Sequence, residues 1–292
     1  MKKLFISFLI VFFILTISGC ANSQDLASVV ATTKPIYDFT AYLCQGTDIT
    51  VSQLITENVS CLHDYTIQVH QMRAIEAAEI VVISGVGLEE FLNDALQKAN
   101  IVLDASQNIE TLCGEHHHEE ESGSHHHDND PHIWMSTTKA EQMAVNIYSG
   151  LSENYPEYKE IFQKNLIALE NKFEELEAYG NAQLSTLSTR NLITFHDGFA
   201  YLAEQWDLTI LKAVEEESGS EASAAELIDL VHLIRQNDLP AIFTEESGST
   251  SAANIISRET DVPIFTLSMG MSEQDYFNMM YNNINTIKEA LG

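Results

Sequence analysis

A tract rich in histidine and carboxylate side chains interrupts the middle of the chain. It covers residues 115–134 and holds two histidine triplets, at positions 116–118 and 125–127, ahead of His132. Neutral imidazole offers a lone pair to zinc or copper near neutral pH. Because so polar a segment cannot build a packed core, residues 115–128 are predicted to form a solvated loop that binds divalent metal weakly. A tag or a spacer is the alternative, but this tract leads directly into a further candidate ligand.

Three separate histidines are the candidates for a tighter site. His63 follows one predicted strand, His132 follows the histidine-rich tract, and His196 comes directly after another predicted strand. In open α/β sheets, ligands collect beyond the carboxyl ends of the strands. Three imidazoles that converge there suit Zn²⁺, which takes nitrogen ligands in tetrahedral geometry. A single histidine is more often a satisfied core or surface residue, so the prediction depends on the matched placement of all three.

The elements that must position these histidines form two runs in which strands and helices alternate. Short apolar strands are predicted at 26–31, 49–55, 80–83 and 101–103, and again at 192–195, 208–214, 241–244 and 263–267. Strands that alternate with longer helices indicate parallel sheets covered on both faces. The pattern therefore predicts an α/β fold built from two similar halves.

One long helix is predicted between the two runs, over residues 156–187. Its apolar residues recur every three or four positions and form one stripe: Phe162, Leu166, Leu169, Phe173 and Leu176. Such a stripe is typical of a helix with one buried side. We expect a rigid connector between two lobes, with two helices broken near Gly180 as the alternative.

The start of the chain has the features of an export signal. Lys2 and Lys3 precede an apolar run that ends in Ile17-Ser18-Gly19-Cys20. This order is typical of a secretory signal. Its last four residues resemble a lipobox, which predicts a lipid on Cys20 that holds the protein to the outer face of a bacterial membrane. An ordinary signal peptide with an incidental cysteine is the alternative.

These features divide the chain into four predicted segments. They are a lipoprotein signal peptide at 1–19, an N-terminal lobe at 20–154 that contains the loop 115–128, a connecting helix at 155–189, and a C-terminal lobe at 190–292. The other cysteines, Cys44, Cys61 and Cys113, are odd in number, so at most one disulfide forms among them. The sequence leaves their pairing open.

The charge balance of the chain is strongly acidic. Aspartate and glutamate total 43 against 14 lysines and arginines, which gives a formal net charge of −29. Such a charge repels nucleic acid and anionic lipid surfaces and favours cations near the protein. Nucleic acid is therefore excluded as an expected partner.

Four short motifs resemble those of the metal-binding solute receptors of bacterial ABC importers. They are Leu62-His63-Asp64-Tyr65, Asp130-Pro131-His132-Ile133-Trp134, the run from Phe195-His196-Asp197 to Tyr201, and Ile242-Phe243-Thr244-Glu245. The likeness extends over most of the chain and is strongest to the zinc-uptake lipoproteins, which share a histidine-rich loop.

This resemblance implies a fold, a site and a function. The fold would be two Rossmann-like lobes with parallel sheets joined by one long backbone helix, with the metal in the cleft between the lobes. His63, His132 and His196 fall on the family's metal-binding positions. The implied protein is not an enzyme. It is a monomeric receptor that captures Zn²⁺ outside the cytoplasm and delivers it to an ABC permease.

The fourth ligand is where the sequence departs from the family pattern. The family often has a carboxylate after the last strand, in a Leu-Asp-Pro type of motif, whereas this chain has Leu267-Ser268-Met269. Glu245 is the substitute predicted here, with water, Glu246 or Glu273 as alternatives. Glu245 could equally be a partner that fixes the tautomer of a ligand histidine.

Two other functions use the same residue types. A manganese or iron receptor of the same fold is one, but such members tend to have a carboxylate where this chain has His196. Three nitrogen ligands favour Zn²⁺ over Mn²⁺. A secreted zinc hydrolase is the other, since three histidines and a water also describe a catalytic zinc. Against it, the sequence has no His-Glu-x-x-His motif.

Overall fold

Two parallel sheets organise the part of the chain that the computed structural model describes, which is residues 27–57, 62, 65–112, 129–215, 222–246, 250–271 and 273–292. The predicted α/β fold with two parallel sheets and one long helix is confirmed. Outside the described residues lie the predicted signal segment 1–19, the lipid site Cys20, the candidate ligand His63, the histidine-rich loop 115–128, Cys61 and Cys113.

The first sheet has the strand order β2-β1-β3-β4, with every neighbouring pair parallel. Its strands are β1 (Val29–Ala31), β2 (Val51–Gln53), β3 (Ile80–Ile83) and β4 (Val102–Asp104). The central strand β1 is buried along its whole length, as expected for a parallel sheet covered on both faces. The helices associated with this half are α1 (Lys34–Leu43), α2 (Val69–Ala77), α3 (Asn93–Leu96) and α4 (Thr137–Asn154).

The second sheet repeats the arrangement with the order β6-β5-β7-β8, again parallel throughout. Its strands are β5 (Asn191–His196), β6 (Thr209–Glu215), β7 (Ile242–Glu245) and β8 (Ile264–Leu267). Its helices are α6 (Ala200–Gln205), α7 (Ala224–Gln236), α8 (Ser251–Thr260) and α9 (Tyr276–Leu291). In each sheet, the carboxyl ends of the strands lie along one edge.

The connector between the two halves is the helix α5 (Lys159–Leu184), which a 3₁₀ turn at Pro156–Tyr158 precedes. It runs without a break through Gly180, so the alternative of two shorter helices is wrong. A Cβ atom at Gly180 would lie 2.5 Å from Cε2 of Trp206. This glycine therefore allows the indole of Trp206 to pack against the helix.

The two halves are joined by a cluster of buried aromatic rings. Phe39 on α1, Phe173 on α5 and Tyr276 on α9 pack edge to face, with ring centroids 4.8 to 5.8 Å apart. Each of these side chains is almost fully buried. Aromatic pairs in this arrangement contribute roughly 0.5–1.5 kcal/mol each beyond the area that they bury. The cluster thus fixes α1 of the first half and α9 of the second half against the same helix.

Helix α2 begins later than the sequence pattern predicts. The sequence pattern predicts a helix over residues 63–78, whereas α2 begins at Val69 after the N-cap residue Gln68. The backbone N–H of Gln68 donates to Oε1 of Gln71 at 2.9 Å, and the two side chains form a capping box. This cap satisfies backbone groups that a longer helix would bond internally.

Glu89 is a buried carboxylate close to the carboxyl end of β3. Its Oε1 accepts hydrogen bonds from Oγ1 of Thr32 at 2.6 Å and from the backbone N–H of Ser84 at 2.7 Å. Its Oε2 accepts from the backbone N–H of Gly85 at 3.0 Å. Gly85 and Val86 both have positive φ, a conformation that a β-branched residue such as valine rarely adopts. The carboxylate therefore helps to fix a strained turn at this edge of the sheet.

Glu89→Gln is expected to reduce the pH dependence of the free energy of unfolding. The pKa of Glu89 is raised from 4.5 to about 7, mainly by burial and also by the nearby Asp104, while the three hydrogen bonds oppose the shift. Because the folded pKa lies above the unfolded one, the stabilisation from this group is present below the unfolded pKa. It is lost as the pH rises through about 7. A shift of this size corresponds to on the order of 3 kcal/mol.

The measurement is urea unfolding of the metal-free protein between about pH 5 and about pH 8. Glu90→Gln is the matched control, since Glu90 is the next residue and is exposed. Wild-type protein and the control should lose stability over this range relative to Glu89→Gln. Parallel curves for all three proteins would show that Glu89 does not titrate in this way.

Candidate metal centre

The register of the second sheet brings His196 and Glu245 together. Strands β5 and β7 are parallel neighbours, with Thr194 opposite Phe243, so their last residues lie at the same edge. Those last residues are His196 and Glu245, which are both buried. Nδ1 of His196 lies 3.6 Å from Oε2 of Glu245, slightly beyond the length of a normal hydrogen bond.

His132 is held by the aspartate two residues before it. Oδ1 of Asp130 accepts from the backbone N–H of His132 at 2.8 Å and lies 2.9 Å from its Nδ1. The backbone of Asp130 is fixed in turn, because its carbonyl oxygen accepts from the hydroxyl of Tyr201 at 2.8 Å. That hydroxyl accepts from the backbone N–H of Leu112 at 2.9 Å. A carboxylate at Nδ1 favours the tautomer in which Nε2 carries the lone pair.

Trp134 supports the other side of His132. The two rings pack edge to face with centroids 5.3 Å apart. The indole Nε1–H donates to the backbone oxygen of Met269 at 2.8 Å, and the hydroxyl of Tyr276 donates to the backbone oxygen of Trp134, also at 2.8 Å. These bonds connect the segment after the histidine-rich tract to the second half of the chain.

The imidazoles of His132 and His196 lie next to each other. Their ring centroids are 5.8 Å apart and their planes are nearly perpendicular. A Cβ atom at Gly198 would lie 3.0 Å from Cδ2 of His196, 3.3 Å from Cε1 of His132 and 2.3 Å from Sδ of Met269. Both rings therefore lie close to Gly198, and each of these two ring carbons is bonded to Nε2. The Nδ1 atoms face the two carboxylates.

This arrangement can present two imidazole nitrogens to one cation. His63, the third predicted ligand, lies outside the described residues, although the preceding Leu62 is buried. Among the residues that the structure describes, no group of three or more His, Cys, Asp or Glu side chains is arranged to hold a metal ion. Glu246 and Glu273, the alternatives for a fourth ligand, are both exposed.

Sequence reasoning missed three residues of this centre: Asp130, Gly198 and Met269. Asp130 could have been found, since a carboxylate two residues before a ligand histidine is placed to accept from its ring. Gly198 and Met269 carry no comparable signal, because they reach the histidines only through the fold.

The sequence matches the family described as "ZnuA: Zinc-uptake complex component A periplasmic" over residues 29–290. The chain belongs to this zinc-uptake family. The match includes all three predicted ligand histidines and both parallel sheets.

Similar proteins in this zinc-uptake family include curated relatives with metal-binding names. The zinc-binding lipoprotein AdcA of Streptococcus pneumoniae (strain ATCC BAA-255 / R6) is 28% identical over 308 residues, which cover 99% of this chain and 61% of the relative. A putative metal-binding protein of Treponema pallidum (strain Nichols) is 26% identical over 278 residues, covering 91% of this chain and 87% of the relative. The chain thus spans about 61% of the length of the AdcA relative.

Solved structures of the zinc-uptake family share the fold. The crystal structure of ZnuA has a TM-score of 0.81 and 28% identity, with 90% of this chain and 98% of that chain covered. The Zn(II)-bound ZnuA-like domain of Streptococcus pneumoniae AdcA has a TM-score of 0.74 and 25% identity, with 91% and 98% covered. Over the described part of this chain, no helix has both the length and the apolar character needed to cross a membrane.

Proposed function

We propose that this protein is an extracytoplasmic receptor that captures Zn²⁺ and delivers it to an ABC permease. The observation that carries the proposal is a pair of adjacent buried imidazoles whose Nδ1 atoms each face a buried carboxylate. In this proposal the two Nε2 atoms bind one ion, as neutral imidazole does in zinc sites. Membership of the zinc-uptake family and the zinc in the names of its relatives support the same function.

The proposed zinc ligands are His132, His196 and His63. Three imidazole nitrogens leave one position of a tetrahedral ion for water or for a carboxylate, with Glu246 and Glu273 as candidates. Glu245 was predicted from the sequence as the fourth ligand or as an orienting partner. Its position beside Nδ1 of His196 favours the orienting role, because Nε2 is the ring nitrogen that is proposed to bind zinc.

Glu245→Gln is expected to weaken zinc binding by about tenfold or less, as for partners that orient a metal ligand. The glutamine carbonyl can still accept from Nδ1–H of His196, so the ring should keep its orientation. The zinc dissociation constant is measured by competition with a chelator, and Glu259→Gln on the exposed side of α8 is the control. A loss as large as that caused by His196→Ala would instead make Glu245 a direct ligand.

The finer parts of the proposal concern how the receptor is held. We propose that a lipid on Cys20 anchors it to the outer face of the membrane and that it works there as a monomer. The lipobox-like residues 17–20 support the anchor, as does the name of the AdcA relative, a zinc-binding lipoprotein. Mass spectrometry of the membrane-extracted protein tests it, since lipidation adds acyl mass to a chain that begins at Cys20.

Competition between Zn²⁺ and Mn²⁺ in calorimetry tests the metal. A nitrogen-rich centre should bind Zn²⁺ with much higher affinity than Mn²⁺, in line with the general order of divalent affinities. Comparable affinities, or a preference for Mn²⁺, would favour the alternative of a manganese or iron receptor. Hydrolysis of model esters or peptides that depends on added zinc would favour the hydrolase alternative.

A further inference from the structure

The thioether of Met269 lies against Gly198, beside the two imidazole rings that are proposed to bind zinc. A point one bond from Cα of Gly198 is 2.3 Å from Sδ of Met269, and it is 3.0 Å and 3.3 Å from ring carbons of His196 and His132. Both of those carbons are bonded to Nε2. The thioether sulfur and one carbon of each imidazole ring therefore surround one small region beside Gly198.

The backbone of Met269 is fixed at this place. Its carbonyl oxygen accepts from Nε1–H of Trp134, which also packs on the ring of His132. The residue before it, Ser268, exchanges two hydrogen bonds with the side chain of Asn283, at 2.9 Å and 2.7 Å. The side chain of Met269 is buried, with 2% of its surface exposed. Because methionine has three rotatable side-chain bonds, its sulfur can turn towards a bound ion while the backbone stays in place.

A thioether changes which ions the centre can bind. Zinc in proteins takes cysteine, histidine and carboxylate ligands, whereas soft thioether sulfur favours monovalent copper. Two neutral imidazoles and one thioether form a donor set without charge, which suits a soft monovalent ion better than a hard divalent one.

We propose that this centre also binds a soft monovalent ion of the Cu(I) class, with Sδ of Met269, Nε2 of His132 and Nε2 of His196 as its donors. The inference rests on the proposed function only in using the same two imidazoles. It makes Met269 a residue that determines metal specificity: it contributes to monovalent ion binding and contributes little to zinc binding.

Methyl NMR with Ag(I), a redox-inert probe of the same class, tests the proposal. The full chain is labelled with ¹³C-methyl methionine, and the Met269 signal is the one that disappears in Met269→Leu. Ag(I) should shift this signal and the ring signals of His132 and His196 together. Zn²⁺ should shift the ring signals much more than the Met269 methyl. Because each signal belongs to one residue, an ion bound elsewhere on the chain does not shift the signals that are compared.

The variant Met269→Leu gives the second measurement, with Met143→Leu on α4 as the control because Met143 is equally buried in the core. The Ag(I) concentration at the midpoint of the His196 ring shift should rise about tenfold or more in Met269→Leu and stay unchanged in Met143→Leu, and any loss of zinc affinity in Met269→Leu should be much smaller than the loss of Ag(I) affinity. If Met269→Leu does not fold, the Met269 methyl signal is assigned from its nuclear Overhauser contacts to the rings of His132 and His196, and the titration of the wild-type chain gives the result.

Three results would overturn the proposal. If Ag(I) shifts both ring signals and leaves the Met269 methyl signal unchanged, the sulfur packs against the rings without binding the ion. The proposed zinc function would then still stand. If Met269→Leu weakens zinc and Ag(I) equally, the residue supports the shape of the centre and does not select the ion. If neither ion shifts the ring signals of the wild-type chain, the zinc function itself fails, and this inference fails with it.

Discussion

Replacing His196 by alanine is expected to weaken tight zinc binding by on the order of 100-fold. Zinc held by four protein ligands has an apparent binding free energy of roughly 10–16 kcal/mol, so one ligand accounts for about 3 kcal/mol. At about 1.4 kcal/mol per factor of ten, this is about two decades of affinity. The imidazole is buried at the end of β5, and the small alanine side chain offers no replacement donor.

The measurement is zinc competition with a chelator of known affinity, followed for the tight site. His232→Ala is the control, because His232 is an exposed histidine on α7. The control should bind zinc as the wild type does, and His132→Ala should lose about as much affinity as His196→Ala. Tight binding that survives in both ligand variants would place the zinc site elsewhere on the chain.

Replacing Asp130 by alanine is expected to lower zinc affinity by roughly 10–100-fold, although the carboxylate is not proposed to touch the metal. It accepts from Nδ1 of His132 and from the backbone N–H of the same residue, at 2.9 Å and 2.8 Å. Without it, the ring of His132 loses the partner that fixes its orientation and directs its lone pair to Nε2. The variant Asp130→Asn keeps an acceptor oxygen and should recover most of the affinity.

The ¹⁵N signals of the His132 ring give a readout that a loss of folding stability would not move. The wild-type protein and Asp130→Asn should show the tautomer with the proton on Nδ1, whereas Asp130→Ala should show a mixture. Asp94→Asn on α3 is the control, because Asp94 is exposed. If Asp130→Ala and Asp130→Asn have equal zinc affinity and equal ring signals, Asp130 does not orient the ring of His132.

The Glu89 turn and the proposed centre respond to different variables. Glu89→Gln should change how the stability of the apoprotein depends on pH, while the His196 and Asp130 variants should change zinc affinity. We expect Cys44 to contribute neither to this pH dependence nor to zinc binding, because burial raises the pKa of its thiol to about 12 and keeps it protonated.

The order and type of the elements could be predicted because they follow from local patterns. Apolar runs such as Ile80–Ile83 form strands, and an apolar residue every three or four positions predicted α5. Boundaries were less accurate where side chains compete with backbone hydrogen bonds, as Gln68 and Gln71 do at the start of α2. The sequence pattern also predicts one helix over residues 88–99, where the structure has a 3₁₀ turn at Glu90–Leu92 followed by the short α3.

By itself, the sequence determined which residue types are available for metal binding and that His196 ends a strand. Only the tertiary structure decided which atoms meet. The parallel register of β5 and β7 sets Glu245 beside Nδ1 of His196, and the path after β8 brings Met269 to Gly198, which is 71 positions earlier in the chain. The physical reason is that strand and helix periodicity is local, whereas the direction of a side chain at a strand end depends on the register of a neighbour distant in sequence.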